Sequence, residues 1–386
     1  MRSNEKKTAD CLIIGGGVIG LAIACELAQR GVRKVVLLER QALGAESSHA
    51  AAGMLAPQAE ADQADSFFRL ACAGRDLYPA FSERLRAETG IDIELDATGT
   101  LYVALNDRDE KEIEHRFRWQ RAIGLAVERM TDGDARLFEP ALSPDVRLAL
   151  RFPHDTQVEP RRLVAALAAA AQSRGVQLTI GAEATALLTN GNRICGAETS
   201  RGSIAAETVV IAGGAWTSQL LLRGQHRALQ KQWPRLVPVR GQMLCFDARP
   251  PLVRHVIYSA RGYLVPRRDG RLLAGSTTER VGFQKAVTAD GLRAIATHAC
   301  EISPAIGQLS VTDSWAGLRP GTNDDFPLIG ESPTIGGLYY ATGHYRNGIL
   351  LAPITAELVA NLITRRERSA LLQDFAPERL SAIEVG

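Results

Sequence analysis

Three glycines near the start of the chain have the spacing of a phosphate-binding turn. Gly15, Gly17 and Gly20 form a G-x-G-x-x-G pattern directly after a short apolar run, with Val18 and Ile19 inside it. The first glycine permits a tight turn, the second lets the backbone approach a pyrophosphate, and the third allows close helix packing. Amide groups at the start of the helix then bind the phosphates. The pattern therefore predicts a dinucleotide-binding site.

Glu39 ends a second apolar run, about twenty residues beyond the glycines. An acidic side chain at this point accepts hydrogen bonds from ribose hydroxyls and disfavours a 2′-phosphate, which argues against NADP. The alternative is a glycine-rich turn beside an unrelated surface glutamate. The order of strand, helix, strand and acid favours the cofactor site, but it does not choose between FAD and NAD.

These residues need a strand, a helix and a second strand to position them. Cys11–Ile14 and residues 35–38 are continuous apolar runs, typical of strands buried on both faces. An Ala- and Leu-rich helix lies between them, and Gly31 ends it. Later parts of the sequence predict two more helices and three more apolar strands of the same kind. The helices are 161–174 and 349–363, and the strands are 176–180, 208–212 and 338–341.

Two stretches of the chain, 91–103 and 237–276, have a different, alternating pattern that favours antiparallel strands. The sequence thus predicts an α/β fold with a Rossmann-like nucleotide-binding domain built from three separated segments. The second domain is predicted to be α+β, with a mainly antiparallel sheet that binds substrate. The predicted segments are 8–84, 155–222 and 322–366 for the nucleotide-binding domain, and 85–154 and 223–321 for the substrate domain.

The composition excludes several classes of partner. The 386 residues include 45 basic and 43 acidic side chains, so a net charge of +2 gives no field for nucleic acid or an anionic membrane. The six cysteines form no C-x-x-C pair or zinc spacing, and no metal site is predicted. No signal peptide or uncharged run of ~20 apolar residues is evident. We expect a reduced, cytoplasmic protein without an integral membrane segment; its oligomeric state, a homo-oligomer included, stays open.

Four motifs in a fixed order carry a family resemblance. They are SSHAAAGML at 47–55, VVIAGGAW at 209–216, WAGLRPGT at 315–322 and GHYRNGILLAP at 343–353. The chain resembles the D-amino-acid oxidase superfamily and, within it, the glycine oxidases linked to thiamine thiazole synthesis. This resemblance implies FAD as the cofactor.

The residues of these motifs suit a flavin. Ser47 and Ser48 are short hydroxyl donors that could reach phosphate oxygens. The small side chains of 50–53 let a planar flavin lie against the backbone, although close helix packing would also explain them. The turn at 343–351 offers amide donors for the pyrimidine carbonyls. By resemblance, the cofactor set also includes Arg40, Ala52, Gly53, Met54, Ala184, Gly213, Trp216, His344, Tyr345, Arg346, Asn347, Gly348, Ile349 and Leu350.

The flavin is expected to be bound non-covalently. Covalent attachment in some relatives runs through a histidine or a cysteine. Residues 317–319 contain no cysteine, and His49 is one residue out of register, with Ala50 at the relevant place.

The substrate carboxylate needs a fixed cation, and arginine supplies two parallel donors. By resemblance, Arg319 is the principal carboxylate ligand and Arg346 the second. Tyr263 helps to hold the carboxylate, and Met54 packs between flavin and substrate. Solvated or paired arginines, a half-buried strand tyrosine and a core methionine are the plainer alternatives.

The chain departs from the glycine oxidase pattern at two places near the predicted pocket. Arg261 replaces a histidine, and Thr278 replaces a methionine that lines the cavity. These changes leave the preferred substrate side chain open.

The predicted reaction is oxidative deamination of glycine, sarcosine or a small D-amino acid. Hydride passes from the substrate Cα to flavin N5, with Arg319 and Tyr263 fixing the carboxylate. The amine must be neutral, so activity should rise with pH. With O2 as acceptor, glycine gives glyoxylate, ammonia and H2O2.

Two other functions remain open. One is a dehydrogenase that passes electrons to a quinone or another acceptor; the other is a flavoprotein that binds a metabolite without turnover. An NAD dehydrogenase is disfavoured, because it would give the glycine-containing turn at 343–351 no evident function.

Overall fold

The computed structural model describes residues 7–223 and 233–381. Residues 1–6, at the polar N-terminus, and 224–232, inside the predicted segment 223–321, lie outside the described residues, as do 382–386. In chain order the strands are β1 (Lys7–Ala9), β2 (Cys11–Ile14), β3 (Val35–Glu39), β4 (Met54–Leu55), β5 (Thr100–Ala104), β6 (Glu128–Thr131), β7 (Leu148–Phe152), β8 (Thr156–Gln157), β9 (Gln177–Ile180), β10 (Ala184–Asn190), β11 (Arg193–Thr199), β12 (Gly202–Ala206), β13 (Val209–Ile211), β14 (Leu221–Arg223), β15 (Val237–Asp247), β16 (Val256–Ser259), β17 (Gly262–Pro266), β18 (Arg271–Gly275), β19 (Val311–Gly321), β20 (Leu328–Glu331) and β21 (Leu338–Thr342).

Ten α-helices connect and cover these strands in the described ranges. They are α1 (Val18–Gln29), α2 (Ser47–Ala50), α3 (Pro57–Glu60), α4 (Ser66–Asp76), α5 (Tyr78–Thr89), α6 (Asp107–Ala122), α7 (Asp132–Phe138), α8 (Pro160–Ser173), α9 (Ala289–Ile302) and α10 (Gly348–Arg365).

The predicted nucleotide-binding sheet is present. Its six strands have the order β20-β21-β13-β2-β3-β9 and are parallel except for the edge strand β20. Along β2, Cys11 and Ile13 pack into the core formed with α1, α8 and α10. Leu12 and Ile14 face the opposite way, into a core shared with the five-stranded sheet β1-β12-β11-β10-β14. Burial on both faces explains why these strands are uninterrupted apolar runs.

The second sheet is mainly antiparallel, as the alternating pattern predicted. Its eight strands have the order β19-β15-β18-β17-β16-β5-β7-β6, and only the β16–β5 pair is parallel. The α9 helix packs against β15, β17 and β18, and α6 against β5 and β7. A short antiparallel pair, β4–β8, forms a separate sheet and joins two segments of the predicted nucleotide-binding domain.

One predicted domain boundary falls inside a helix. The border between 84 and 85 interrupts α5, and Tyr78, Phe81 and Leu85 of that helix all pack in the core of the nucleotide-binding part. We therefore propose that this boundary follows Thr89. The border at 322 lies between β19 and β20, which belong to different sheets.

The α10 helix is longer and more buried than its sequence pattern indicated. It is the one helix within 7–223 and 233–381 that is long and apolar enough to cross a membrane, and 61% of it is buried inside the fold. It packs against α1 and α4, so a position in the core accounts for its composition.

Candidate active site

A cavity of about 500 Å³ lies at the carboxyl ends of the parallel strands. Ile14, Glu39 and Thr342, each the last residue of a strand, contribute to its wall. The cavity extends to Tyr263 and Arg319 of the antiparallel sheet. This is the edge at which open α/β sheets bind ligands, and the volume suits a cofactor together with a small substrate.

The glycine turn has the geometry that its spacing predicted. Gly15 has a φ of +114°, and a Cβ atom there would lie 2.3 Å from the Ala212 carbonyl oxygen. A Cβ on Gly20 would lie 2.0 Å from the Gly15 carbonyl oxygen, so only glycine lets α1 pack this closely. Gly17 differs from both, because a Cβ placed there would have only the Ser48 hydroxyl nearby, at 3.4 Å. The backbone at Gly17 is therefore open to the cavity.

Glu39 organises this turn as well as lining the cavity. Its carboxylate accepts hydrogen bonds from the backbone N–H groups of Gly16 and Gln41, each at 2.9 Å. Arg40 extends along the wall, where its guanidinium lies 4.0 Å from the centre of the Trp216 ring and 3.1 Å from the Glu46 carboxylate. This stack forms the outer end of the cavity.

The two serines of the SSHAAAGML motif have different partners. Ser48 accepts a hydrogen bond from the Val18 N–H at 3.0 Å, which leaves its own proton free to donate at the start of α1. The Ser47 hydroxyl donates to the Leu318 carbonyl and ties α2 to β19. Both residues line the cavity, but only Ser48 is placed beside the glycine turn.

Residues 50–53 form a smooth wall whose carbonyl groups are held from behind. The Ala50 carbonyl accepts from the Trp315 indole at 3.2 Å, the Gly53 carbonyl accepts from the Val158 N–H at 2.9 Å, and the Arg267 guanidinium donates to the Ala52 carbonyl. These small residues also allow close packing, since a Cβ on Gly317 would lie 2.5 Å from that of Ala50. The small size of residues 50–53 therefore suits both a flat ligand against the wall and close packing behind it.

The turn before α10 closes the other side of the cavity. Residues 344–349 line it together with Gly213, Trp216 and residues 182–185, which include Ala184. Burial lowers the pKa of His344 to about 3, and its Nε2 lies 3.1 Å from the Thr355 hydroxyl, so the ring is neutral. The Tyr345 N–H donates to the Pro320 carbonyl at 3.1 Å and joins this turn to the arginine motif. Leu350 differs from the prediction: it packs in the core below the cavity wall.

Arg319 reaches the cavity from β19 and is held by neutral groups. Its guanidinium donates to the Thr277 carbonyl at 3.0 Å and to the Ser276 hydroxyl at 2.8 Å. A Cβ on Gly241 would lie 2.3 Å from Arg319 Nη2, so this glycine makes room for the guanidinium. Burial lowers the pKa of Arg319, although an arginine stays protonated at neutral pH. In the described part of the chain, no carboxylate forms an ion pair with it.

Arg346 has an acidic neighbour that the sequence analysis missed. Glu60 Oε1 lies 3.8 Å from Arg346 Nη2 and accepts a hydrogen bond from the Tyr258 hydroxyl at 2.6 Å. The nearby Glu60 charge raises the pKa of Arg346, and burial raises the pKa of Tyr258. Glu60 itself lines the cavity. No motif marks Glu60, because its partners come from strands and turns far away in sequence.

Tyr263 and Met54 both line the cavity, as predicted. The Tyr263 hydroxyl lies 3.4 Å from the sulfur of Met243, a weak acceptor that a carboxylate would readily replace. Met243 also lines the cavity and was not predicted. A Cβ on Gly275 would lie 2.4 Å from its sulfur, which shows how closely this strand packs.

The two departures from the glycine oxidase pattern do not reach the pocket. Arg261 pairs with Glu301, and about half of its side chain is exposed. Thr278 is exposed and does not line the cavity. Met54, Met243 and Tyr263 form the side-chain wall at this end of the cavity instead.

A glycine turn for a dinucleotide, in a cavity that continues to two arginines, defines a dinucleotide-dependent oxidoreductase. The family model described as "DAO: FAD dependent oxidoreductase" matches residues 10–362, so the chain belongs to this family of FAD-dependent oxidoreductases. The resemblance predicted from the motifs is confirmed, and the cofactor is FAD.

Curated and solved relatives cover nearly the whole chain. Glycine oxidase of Geobacillus kaustophilus is 38% identical over 372 residues, which are 96% of this chain and 97% of that protein. The bifunctional protein ThiO/ThiG of Synechocystis sp. is 38% identical over 96% of this chain and 54% of its own length. The crystal structure of the Geobacillus glycine oxidase matches with a TM-score of 0.89 at 37% identity, covering 96% and 98% of the two chains. The chain is thus an enzyme of the FAD-dependent amino-acid oxidase type.

The residues present fit FAD. Open backbone at Gly17, the Ser48 hydroxyl and the start of α1 suit the pyrophosphate, and Glu39 suits a ribose. The smooth wall at 50–53 and the turn at 344–349 suit the flat ring system.

Proposed function

We propose that the protein oxidatively deaminates glycine, or a close relative such as sarcosine or a small D-amino acid, with O2 as the electron acceptor. The observation that carries this proposal is Arg319, a partly buried guanidinium held by neutral groups at the end of the cavity formed by the antiparallel sheet. A buried charge without a counter-charge is costly, so a carboxylate substrate would complete the site. The identity of the relatives supports the same assignment.

Arg319 and Tyr263 would orient the substrate through its carboxylate. Arg319 can offer two donors in one plane, and the Tyr263 hydroxyl can leave its weak contact with Met243 to join them. Fixing the carboxylate in this way would limit the orientations that the substrate Cα can take in the pocket. Bound FAD supplies the acceptor for the hydride that leaves Cα.

Arg346 and Glu60 would complete the polar side of the pocket. Glu60 lies 3.8 Å from Arg346 and would fix the position of its guanidinium, so that the second arginine can join Arg319 at the carboxylate. Met54 and Met243 fill the remaining space with apolar atoms, which favours a small substrate side chain. With glycine, water and O2, the products are glyoxylate, ammonia and H2O2.

We also propose that FAD is bound without a covalent link. Of the described residues, no cysteine lines the cavity. His344 is the one histidine in the described lining, and it is buried and bonded to Thr355. Acid precipitation should therefore release the yellow colour into the supernatant.

The test is the absorbance spectrum of the FAD-loaded protein before and after anaerobic glycine. We expect bleaching of the flavin bands, recovery on exposure to air, and one H2O2 for each glyoxylate. Bleaching that recovers with a dye but not with air would replace the oxidase by a dehydrogenase. A spectrum unchanged by glycine, sarcosine and D-alanine would refute the proposed substrate class.

A further inference from the structure

The α3 helix has only one turn, yet it carries Glu60 to the cavity. Four residues cannot maintain a helix in water, because nucleation outweighs the hydrogen bonds gained. Pro57, Gln58 and Ala59 are buried, and Glu60 is the last residue of the turn. Groups outside the helix must therefore hold it in place.

Asp155 holds the first end of α3. Its carboxylate is fully buried and accepts hydrogen bonds from the N–H groups of Gln58 at 3.3 Å and Ala59 at 2.8 Å. Arg75 lies 3.4 Å from the same carboxylate. Burial raises the pKa of Asp155 to about 7, so its carboxylate is ionised above that pH, where its negative charge is aligned favourably with the backbone dipoles at the N-terminus of the helix.

Arg116 holds the other end. Only 4% of its side chain is exposed, and its Nη1 donates to the carbonyl of Ala59 at 3.0 Å and to that of Ala61. Its Nη2 bonds Asp62 at 2.8 Å. A positive charge at the C-terminus matches the opposite end of the dipole.

We propose that Asp155 and Arg116 are positioning residues of the active site, which hold α3 so that the Glu60 carboxylate stays beside Arg346. Neither residue lines the cavity. Their effect passes through Glu60, which the Tyr258 hydroxyl orients and which in turn holds the Arg346 guanidinium in place for the substrate carboxylate. This inference rests on the proposed amino-acid site, and it predicts an effect on carboxylate affinity rather than on the hydride step.

The experiment compares Asp155→Asn and Arg116→Lys with the wild type as FAD-loaded enzymes. Asparagine keeps the shape of Asp155 without its charge, and lysine cannot bond several carbonyls in one plane. We expect the KM for glycine to rise about 10-fold in each variant, a change of about 1.4 kcal/mol, with kcat within about 2-fold. A fall in kcat with KM unchanged would refute the proposal.

A double-mutant cycle separates positioning from general destabilisation. If both residues act through Glu60, then in a Glu60→Gln background neither substitution should raise KM further. Additive effects would overturn the inference. Glu139→Gln is the matched control, because Glu139 is also a buried acid that bonds two N–H groups and lies outside the cavity wall. It should lower the melting temperature while KM stays unchanged.

Acetate provides a readout that does not require turnover. It carries the carboxylate of an amino acid but no amine, and its binding is followed from the flavin absorbance. Asp155→Asn and Arg116→Lys should raise the Kd of acetate by the same factor as the KM. If wild-type enzyme binds acetate but does not oxidise glycine, the proposed function fails while this titration still decides the positioning role. Unchanged acetate affinity in both variants would refute that role.

Discussion

The two ends of the cavity are built in different ways. At the cofactor end, the backbone of the glycine turn forms much of the wall beside the Glu39 and Ser48 side chains, and glycines at 15 and 20 allow chain segments to touch. At the substrate end, the contacts come from side chains on separate elements, including Glu60, Tyr263, Arg319 and Arg346. A Cβ atom added to one of these glycines should therefore disrupt the cofactor end. A changed side chain at the substrate end should instead alter the affinity for the substrate.

The comparison is sharpest for two neighbouring glycines, where the largest effect is expected. In Gly15→Ala the new methyl would lie 2.3 Å from the Ala212 carbonyl oxygen, at a φ of +114°. We expect this variant to lose FAD affinity more than ~100-fold or to fail to fold. Isothermal titration of the apoprotein with FAD, together with its melting temperature, provides the measurement.

Gly17→Ala is the matched control for that variant. Its methyl would meet only the Ser48 hydroxyl at 3.4 Å, in an extended conformation open to any residue. The apoprotein should keep its melting temperature, while FAD affinity falls about 10-fold as the methyl occupies space for the pyrophosphate. Equal loss of stability in the two variants would break the proposed distinction between a turn-closing and a cofactor-facing glycine.

Arg319→Ala tests the substrate end and should have the next largest effect. Removal of a charge-assisted contact costs ~1.5–3 kcal/mol, so KM for glycine should rise at least ~10-fold. FAD content should not change, because Arg319 bonds only Ser276 and Thr277 among the described residues. Steady-state kinetics and the flavin-to-protein absorbance ratio measure both quantities. Arg261→Ala, which removes an arginine paired with Glu301 at the surface, should leave KM within ~2-fold.

The smallest effect concerns the pH dependence of stability. Burial lowers the pKa of His344 from 6.5 to about 3, so below pH 6.5 the unfolded chain binds a proton that the folded protein excludes. Stability is therefore lost as pH falls, by about 1.6 kcal/mol between pH 6.5 and 5 for this group alone. His344→Gln should remove that part of the slope. Urea unfolding at pH 7.5 and 5, at constant FAD concentration, measures the difference; parallel slopes in the two proteins would contradict it.

The structure brings together the residues predicted for the cofactor end, whose parts are close along the chain. Gly15, Gly20 and Glu39 occupy one βαβ unit, and a fixed spacing there corresponds to a fixed geometry. The parallel and antiparallel sheets were also predicted, since burial on two faces or one face leaves different patterns. Ser47 shows the limit, because the sequence could not tell that its hydroxyl would face β19.

The substrate end was predicted only where family motifs covered it. Arg319, Arg346, Tyr263 and Met54 came from the resemblance, and all four line the cavity. Glu60 was missed, since its meaning depends on Tyr258 and Arg346, which lie about 200 and 290 residues away. No motif or spacing in the sequence pointed to Asp155 or Arg116, which hold the α3 helix that carries Glu60. The residues next to Asp155 and Arg116 along the chain do not reveal which distant backbone groups these charged side chains will bind.

The strand order β20-β21-β13-β2-β3-β9 has a consequence for how the protein is made. The strand that carries the glycine turn, β2, is the first of its sheet along the chain, but β21 and α10, which complete its sheet and core, are synthesised more than 300 residues later. A growing chain therefore exposes apolar strands throughout most of its synthesis, the condition under which large proteins aggregate or need chaperones. The turn at 344–349, which forms part of the wall of the cofactor cavity, is also synthesised late. Supply of the flavin should thus improve the yield of folded enzyme at the last stage of folding, and not before it.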